Sequence, residues 1–369
     1  MNSWITGMDL STLLEVERCG GKFYNHGVLG DAMDILKSYG MNMVRLRLWN
    51  DPFDENGNSY GAGGNDIETT LTLAKRAKEK GVGWLLDFHY SDFWTDPEKQ
   101  TLPKAWRGMT EEEVEQEVHR YTKKVLKRCK AEEILPQMVA VGNEITNGLL
   151  WPYGKMPNYG NIAKLVNAGI HAVREIDPNI AVMIHLDNGG NNELYRNWLD
   201  HYIANGGETF DCIGLSYYPF WHGSMQMLRE NLNDLAKRYQ KDLIVVETSM
   251  GYTMEDYRVY EQLDKSQRKG MSTKKELVEQ IAYKMTCEGQ SQFIRDMLQI
   301  IREVPDGRGK GFYYWEPAWI PVPGSGWATQ SAWEYVGEKG PGGNEWANQA
   351  LFDYNGNALP ALEVIKAFA

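Results

Sequence analysis

The sequence is poor in cysteine and has no long apolar segment. Its four cysteines are scattered over 369 residues without a C-x-x-C pair, which argues against a disulfide framework or a cysteine-based metal site and indicates free thiols. No run approaches the roughly 18 apolar residues of a membrane span, and no basic segment precedes the first apolar run, as a signal peptide would require. We expect a soluble protein without a membrane partner, either cytoplasmic or a mature secreted form that lacks its signal.

Positive charge is also scarce. Lysine and arginine number 39 against 50 acidic residues, giving a net charge of −11. Because nucleic acids are bound through clusters of basic residues, we do not expect a nucleic-acid partner. Aromatic residues are abundant instead, with 13 tryptophans and 20 tyrosines, several of them outside periodic segments. Flat rings in loops suit the apolar faces of sugars.

Short apolar runs alternate with segments of helical periodicity. One such segment extends from Asp66 to Lys80, with Gly81 placed to end a helix. Eight βα alternations predict an α/β fold, a single (β/α)₈ barrel with its active site at the C-terminal ends of the strands. No linker or low-complexity tract divides the chain, so residues 1–369 are expected to form one catalytic domain. The eight runs begin at Trp4, Asn42, Val82, Met138, Ala181, Cys212, Leu243 and Gly311.

Polar residues concentrate at the ends of these runs, which converge on one mouth of a barrel. A single such residue is more often a structural hydrogen-bonding group, but the whole set favours a functional site. Interior arginines on the second run need carboxylate partners, and we expect Glu144 and Glu247 to supply them. The set comprises Asp9, Arg45, Arg47, Asp87, His89, Asn143, Glu144, His185, Asp187, Tyr217, Glu247 and Trp315.

Two glutamates stand out because they end the fourth and seventh runs and therefore face each other across the mouth. A retaining glycosidase uses such a pair about 5–5.5 Å apart, one as acid/base and one as nucleophile. The nucleophile, Glu247, must stay ionised, which an arginine and the hydroxyl of Tyr217 would favour. The acid, Glu144, must hold its proton, which burial and the partner's charge would favour. Asn143 is placed to bind the sugar 2-hydroxyl.

Longer blocks resemble the clan A glycoside hydrolases and, among them, glycoside hydrolase family 53, the endo-β-1,4-galactanases. The blocks span nearly the whole chain: "GMDLS", "VRLRLWNDP", "DFHYSDFWTDPEKQTLPKAW", "VGNEITNGLLWPYG", "SYYPFWHG", "VVETS", "FYYWEPAWIPVPGSGWAT" and "NQALFDYNGNALPAL". The resemblance implies a retaining endo-acting hydrolase of β-1,4-galactosidic linkages in galactan or type I arabinogalactan, working by double displacement. It implies Glu144 as the acid/base and Glu247 as the nucleophile.

The resemblance also implies that Trp315 floors the subsite on the non-reducing side of the cleavage point. Trp94 and Trp151 are candidate platforms further out, and His89 and Asp92 are candidates for contacting the ligand or its first neighbours. The substrate is expected to be a polysaccharide or oligosaccharide, bound by a monomer. The remaining candidate binding residues are Arg45, Asp87, Asn143, His185, Asp187 and Tyr217.

No cofactor is expected. His89, His185 and His222 lack H-x-H or H-E-x-x-H spacing, which does not favour a metal site. Some members of the family carry a calcium loop after the seventh strand, but "GYTMED" and the residues that follow it lack alternating oxygen ligands, which does not favour calcium here. Residues 257–272 are instead hypothesised to shape one end of the groove and so the length of the product.

Three alternatives stay open at this point. A clan A hydrolase of another β-linked glycan, such as mannan or xylan, or of short galacto-oligosaccharides would share both glutamates. A non-catalytic glycan-binding barrel would keep the tryptophans and lose a carboxylate. An isomerase or aldolase would call for a phosphate-binding glycine-rich loop or a lysine at a strand end.

Overall fold

The computed structural model describes residues 4–255, 275–338, 343–344 and 346–369. Eight parallel strands close into a barrel in which each strand pairs with the next along the chain and the last pairs with the first. This arrangement confirms the predicted (β/α)₈ barrel. The strands are β1 (Ile5–Asp9), β2 (Met43–Leu48), β3 (Gly83–Phe88), β4 (Met138–Val141), β5 (Ala181–Leu186), β6 (Cys212–Ser216), β7 (Asp242–Thr248) and β8 (Gly309–Tyr314).

Helices connect these strands and cover the outside of the barrel. The predicted helix after Asp66 is confirmed, since the Asp66 side chain caps its N-terminus by accepting from the Thr69 N–H and Gly81 follows its end with φ of 68°. In the described residues the α-helices are α1 (Leu13–Arg18), α2 (Ala32–Ser38), α3 (Ile67–Glu79), α4 (Glu111–Ala131), α5 (Tyr159–Ile176), α6 (Asn192–Ala204), α7 (Met225–Tyr239), α8 (Lys275–Val278), α9 (Cys287–Arg302), α10 (Gln330–Val336) and α11 (Ala361–Phe368).

Two short hairpins lie outside the barrel, Phe23–Asn25 with Val28–Gly30 and Gly148–Leu149 with Gly154–Lys155. Among the described helices, none combines the length and the apolar character needed to cross a bilayer. The segment of residues 257–272, which the sequence associates with the end of the groove, lies outside the described residues.

The barrel interior has an apolar layer with a charged layer above it. The apolar layer is a separate cluster of buried side chains, among them Ile5, Leu85, Met138 and Tyr313. Inward-facing side chains recur every second residue of a strand, so Leu85 is followed on the inside of β3 by Asp87. The apolar layer therefore closes the barrel below the polar strand ends.

The close approach of β1 to β8 generates a stability prediction. A Cβ atom added at Gly7 would lie 2.2 Å from the ring of its register partner Tyr313, and that ring is fully buried. We expect Gly7→Ala to lower the free energy of unfolding by about 1–3 kcal/mol, measured as a lower midpoint of chemical denaturation.

A matched control is Gly160→Ala on α5, where the nearest atom would lie 3.7 Å away. This change should leave the midpoint unchanged or raise it, because alanine favours a helix over glycine by up to about 1 kcal/mol. Equal midpoints for the two variants would contradict the packing argument.

Candidate active site

The Arg45 guanidinium lies at the centre of the site and is fully buried. Its Nη1 is 2.5 Å from Asp9 Oδ2, and its Nη2 is 2.8 Å from Asp87 Oδ2 and 2.6 Å from Glu247 Oε1. Nη2 also donates to Asn143 Oδ1 at 2.8 Å. Burial alone would lower the pKa of Arg45, but the three carboxylates outweigh it and raise that pKa well above its usual value. Arg45 is therefore a permanent cation.

Glu247, at the end of β7, is 6% exposed and has two stabilising partners. Arg45 contacts Oε1, and the Tyr218 hydroxyl donates to Oε2 at 2.9 Å. Burial raises the pKa of Glu247, while Arg45 and Tyr218 oppose that rise. The expectation that Tyr217 supplies this hydroxyl is wrong, because the Tyr217 hydroxyl donates to the Gly223 carbonyl at 2.9 Å.

Glu144 directly follows Gly142-Asn143 at the end of β4 and adopts the left-handed conformation, with φ of 47° and ψ of 52°. Such a backbone is uncommon outside glycine and costs on the order of 1 kcal/mol. Burial comes first among the causes that raise the pKa of Glu144 well above its ordinary value, followed by the charges of Glu247 and Asp187. Glu144 is therefore the carboxyl that keeps its proton longer.

His185 contacts the backbone of Glu144. The Glu144 N–H lies 3.4 Å from Nδ1 of His185, and Nε2 lies 2.8 Å from the Ser216 hydroxyl oxygen. Burial and the nearby Arg45 lower the pKa of His185 well below its usual value. The imidazole is thus neutral, with Nδ1 accepting and Nε2 donating.

The second interior arginine, Arg47, forms its ion pairs with carboxylates other than Glu144 and Glu247. Arg47 Nη2 lies 2.6 Å from Glu316 Oε1, and Nη1 lies 3.2 Å from Asp9 Oδ1. No lysine or arginine in the described ranges forms an ion pair with Glu144. The expectation that Glu144 balances an interior arginine is therefore wrong, whereas Glu247 does so.

Glu316 was not singled out in the sequence, although it directly follows Trp315 in the block "YYWEP". The Arg47 guanidinium that it holds lies over two aromatic rings, 4.5 Å from the ring centre of Trp94 and 5.6 Å from that of Trp315. A buried ion pair thus underlies two predicted platforms.

A cleft of about 520 Å³ opens above these groups. Trp94 stacks on Trp327 with ring centres 4.4 Å apart, and its Nε1 donates to the Trp327 carbonyl at 3.0 Å. The cleft brings together eight predicted residues: Arg47, His89, Trp94, Asn143, Glu144, Asp187, Glu247 and Trp315. It also contains residues that were not assigned from the sequence: Thr95, Asp96, Pro97, Glu98, Tyr218, Trp221, Trp327 and Trp346.

Other predicted residues lie outside the cleft. Asp92 accepts from the N–H groups of Asp51 and Lys104, at 3.0 and 2.6 Å, and from the Tyr335 hydroxyl at 3.1 Å, so it holds loops together. Trp151 lines a separate surface pocket. The structure does not bring these two residues into the cleft, and it places Arg45, Asp87 and His185, all fully buried, beneath the cleft.

The three histidines considered for a metal have other partners. His89 lies 3.2 Å from Asp87 and 2.9 Å from the Thr95 hydroxyl, and His222 Nδ1 lies 2.9 Å from the Ser216 carbonyl. Within the described ranges, no cluster of three or more His, Cys, Asp or Glu side chains could hold a metal ion. Most of the segment considered for calcium lies in residues 256–274, outside those ranges, so that expectation stays a prediction.

An eight-stranded barrel whose strand ends carry two electrostatically coupled glutamates, beside a tryptophan-lined cleft, is the architecture of a glycoside hydrolase. Residues 5–365 match the model of glycosyl hydrolase family 53. The chain belongs to this family.

Individual relatives agree with that assignment. An uncharacterized protein in the bgaB 5′ region of Niallia circulans is 42% identical, over 99% of this chain and 94% of that protein. The endo-β-1,4-galactanase of Bacillus subtilis is 37% identical, over 98% of this chain and 85% of the relative. The solved GH53 catalytic domain of Ignisphaera aggregans has a TM-score of 0.88 at 41% identity, covering 98% and 95% of the two chains.

The adjacent tyrosines provide a matched test of the site. Tyr218→Phe removes the hydroxyl that donates to Glu247, and a hydrogen bond to a charged group contributes about 1.5–3 kcal/mol. We expect glycoside hydrolysis to slow by about ten- to a hundredfold. The acidic limb of the pH profile should move to higher pH, because the ionised form of Glu247 loses a stabilising donor.

Tyr217→Phe is the control, since its hydroxyl bonds to a backbone carbonyl instead. This variant should lose about 1 kcal/mol of stability and keep its pH profile. If both variants lost activity equally with unchanged pH profiles, the assignment of Tyr218 would be wrong.

Proposed function

We propose that this protein is an endo-acting, retaining galactanase that cleaves β-1,4-galactosidic linkages in galactan or type I arabinogalactan. The observation that carries the proposal is the asymmetry of the two coupled glutamates, Glu247 held by Arg45 and Tyr218, and Glu144 without a cationic partner in the described structure. The activity named for the Bacillus subtilis relative supports the choice of substrate.

In the proposed first step, a carboxylate oxygen of Glu247 attacks the anomeric carbon while Glu144 gives its proton to the departing glycosidic oxygen. The products are a glycosyl ester on Glu247 and the released sugar chain. Glu144 is now ionised and takes a proton from water. That water attacks the same carbon from the face opposite the ester bond to Glu247. The ester breaks, Glu247 becomes a carboxylate again and Glu144 regains its proton.

The change of roles follows from the electrostatics of the site. While Glu247 is charged, its field helps to raise the pKa of Glu144. Once Glu247 is esterified that charge is gone, so the pKa of Glu144 falls and its carboxylate is available as a base. Arg45 stays paired with Asp9 and Asp87 throughout, which lets Glu247 lose and regain charge without leaving a bare buried cation.

Asn143 is proposed to bind the sugar 2-hydroxyl. Its Oδ1 accepts from Arg45 at 2.8 Å, and one Nδ2 hydrogen goes to the Thr95 carbonyl at 2.9 Å. An amide nitrogen carries two hydrogens, so the second one is left for a ligand. Trp315, 6% exposed on the cleft wall, is proposed as the sugar platform at the cleavage point, with His89, Trp94 and Asp187 as further contacts.

The substrate is tested by reducing-sugar release from debranched galactan, mannan, xylan and β-glucan, with Glu247→Gln as the matched inactive variant. We expect release from galactan alone and a loss of at least about a thousandfold in the variant, because the amide cannot form the ester intermediate. Preferred release from another polysaccharide would overturn the substrate assignment. Near-normal turnover by Glu247→Gln would overturn the nucleophile.

The acid/base role is tested by Glu144→Ala on galactan and on an aryl galactoside with a good leaving group. A good leaving group needs little protonation, so we expect the variant to retain far more of the parent rate of glycosyl-enzyme formation on the aryl substrate. Azide, which needs no base, should restore turnover. Equal losses on both substrates without azide rescue would contradict the assignment.

A further inference from the structure

A second pocket adjoins the cleft along the loop that follows β6. It has a volume of about 470 Å³ and lies between this loop and the chain around residues 280–283. Trp221 lines both this pocket and the cleft, so the two cavities meet at one indole. The size falls within the range of about 300–1,000 Å³ typical of small-ligand sites.

Trp221 is unusual among the large apolar side chains because it is 40% exposed. Its ring packs against Tyr218 and Trp346, with ring centres 5.8 Å away in both cases. These contacts hold the indole on the boundary between the cavities. An exposed aromatic ring held in a fixed position suits the apolar face of a pyranose.

The wall of the second pocket combines aromatic rings with neutral polar groups. Gln226, Gln280 and Ser224 contribute amides and a hydroxyl, and the exposed Trp221 and partly exposed Tyr283 contribute ring faces. None of the lining residues that the structure describes is acidic, basic or histidine. A charged ligand would therefore lose its hydration without gaining a counter-charge, whereas a neutral polyhydroxylated ligand finds both stacking faces and hydrogen-bonding partners.

Aromatic contacts and a hydrogen bond fix the positions of two tyrosines in the pocket wall. Tyr217 stacks on Phe293 of α9 with ring centres 6.3 Å apart, and Tyr283 meets the same ring edge-on at 5.5 Å. The Tyr283 hydroxyl donates to Asp296 at 2.9 Å. Binding to such a preformed wall would cost little ordering of the protein.

We propose that this pocket binds neutral sugar units of the same glycan chain, continuing from the cleft past Trp221, as a remote subsite for long substrates. The inference rests on the proposed function, since it takes the occupant of the cleft to be a galactan chain. Its consequence is a preference for polymer over short substrates that fill only the cleft.

The test uses pocket residues that do not line the cleft. Ala282→Trp fills the pocket from an exposed position, and Gln280→Ala removes an exposed amide from its wall. We expect kcat/KM on debranched galactan to fall by about three- to tenfold, the effect of losing one stacking or hydrogen-bonding contact. On an aryl β-galactobioside, which we expect to occupy the cleft alone, kcat/KM should stay within about twofold of the parent.

Matched controls are Ala204→Trp and Gln299→Ala, which make the same substitutions at exposed positions on α6 and α9 outside this pocket. Both should match the parent on both substrates, and all four variants should share its unfolding midpoint. If Ala282→Trp left the ratio of polymer to short-substrate kcat/KM unchanged, whether both values stayed at the parent level or fell equally, the subsite would be refuted. A parent chain inactive on galactan would overturn the proposed function and this inference together.

Discussion

The burial of Arg45 among three carboxylates is the constraint on which the rest of the site depends. A guanidinium removed from water costs several kcal/mol unless it is fully paired, and here it reaches Asp9, Asp87 and Glu247 from three strands of the barrel. The apolar layer beneath excludes water, which strengthens each of these interactions. The barrel therefore presents Glu247 at a site where a negative charge is already compensated.

The same cation makes the two glutamates different. Both end a barrel strand and both are largely desolvated, which raises both pKa values. Arg45 opposes the rise for Glu247, whereas the charges of Glu247 and Asp187 raise the pKa of Glu144 further. The difference between the two pKa values does not come from the residue type, since both are glutamates. It follows from the position of an arginine on β2, and on the proposed mechanism that position decides which carboxyl attacks and which one protonates.

The regular parts of this structure could be predicted from the sequence because they repeat. Two-residue alternation along β2 and β3 predicts Arg45 and Asp87 inside the barrel, and the helical periodicity after Asp66 with Gly81 at its end predicts α3. The misassigned tyrosine was within reach of the same rule. Cys212, Ser216 and Tyr218 share one parity and face the barrel interior, whereas Tyr217 has the opposite parity and stacks on Phe293 of α9. Trp327 was missed because its contact with Trp94 joins loops 233 residues apart, which no local period encodes.

The charges of the cleft bear on the class of glycan that it can hold. Among the residues that the structure describes, five line the cleft with carboxyl groups: Asp96, Glu98, Glu144, Asp187 and Glu247. The one arginine among these lining residues, Arg47, is already paired with Asp9 and Glu316. A glycan with a carboxylate on each sugar would meet repulsion there with no free counter-charge among the described lining residues, whereas a neutral hexose chain would not. The described lining of the second pocket carries no charged side chain and extends that preference. The electrostatics therefore favour a neutral galactan over an acidic polysaccharide before any hydroxyl is recognised.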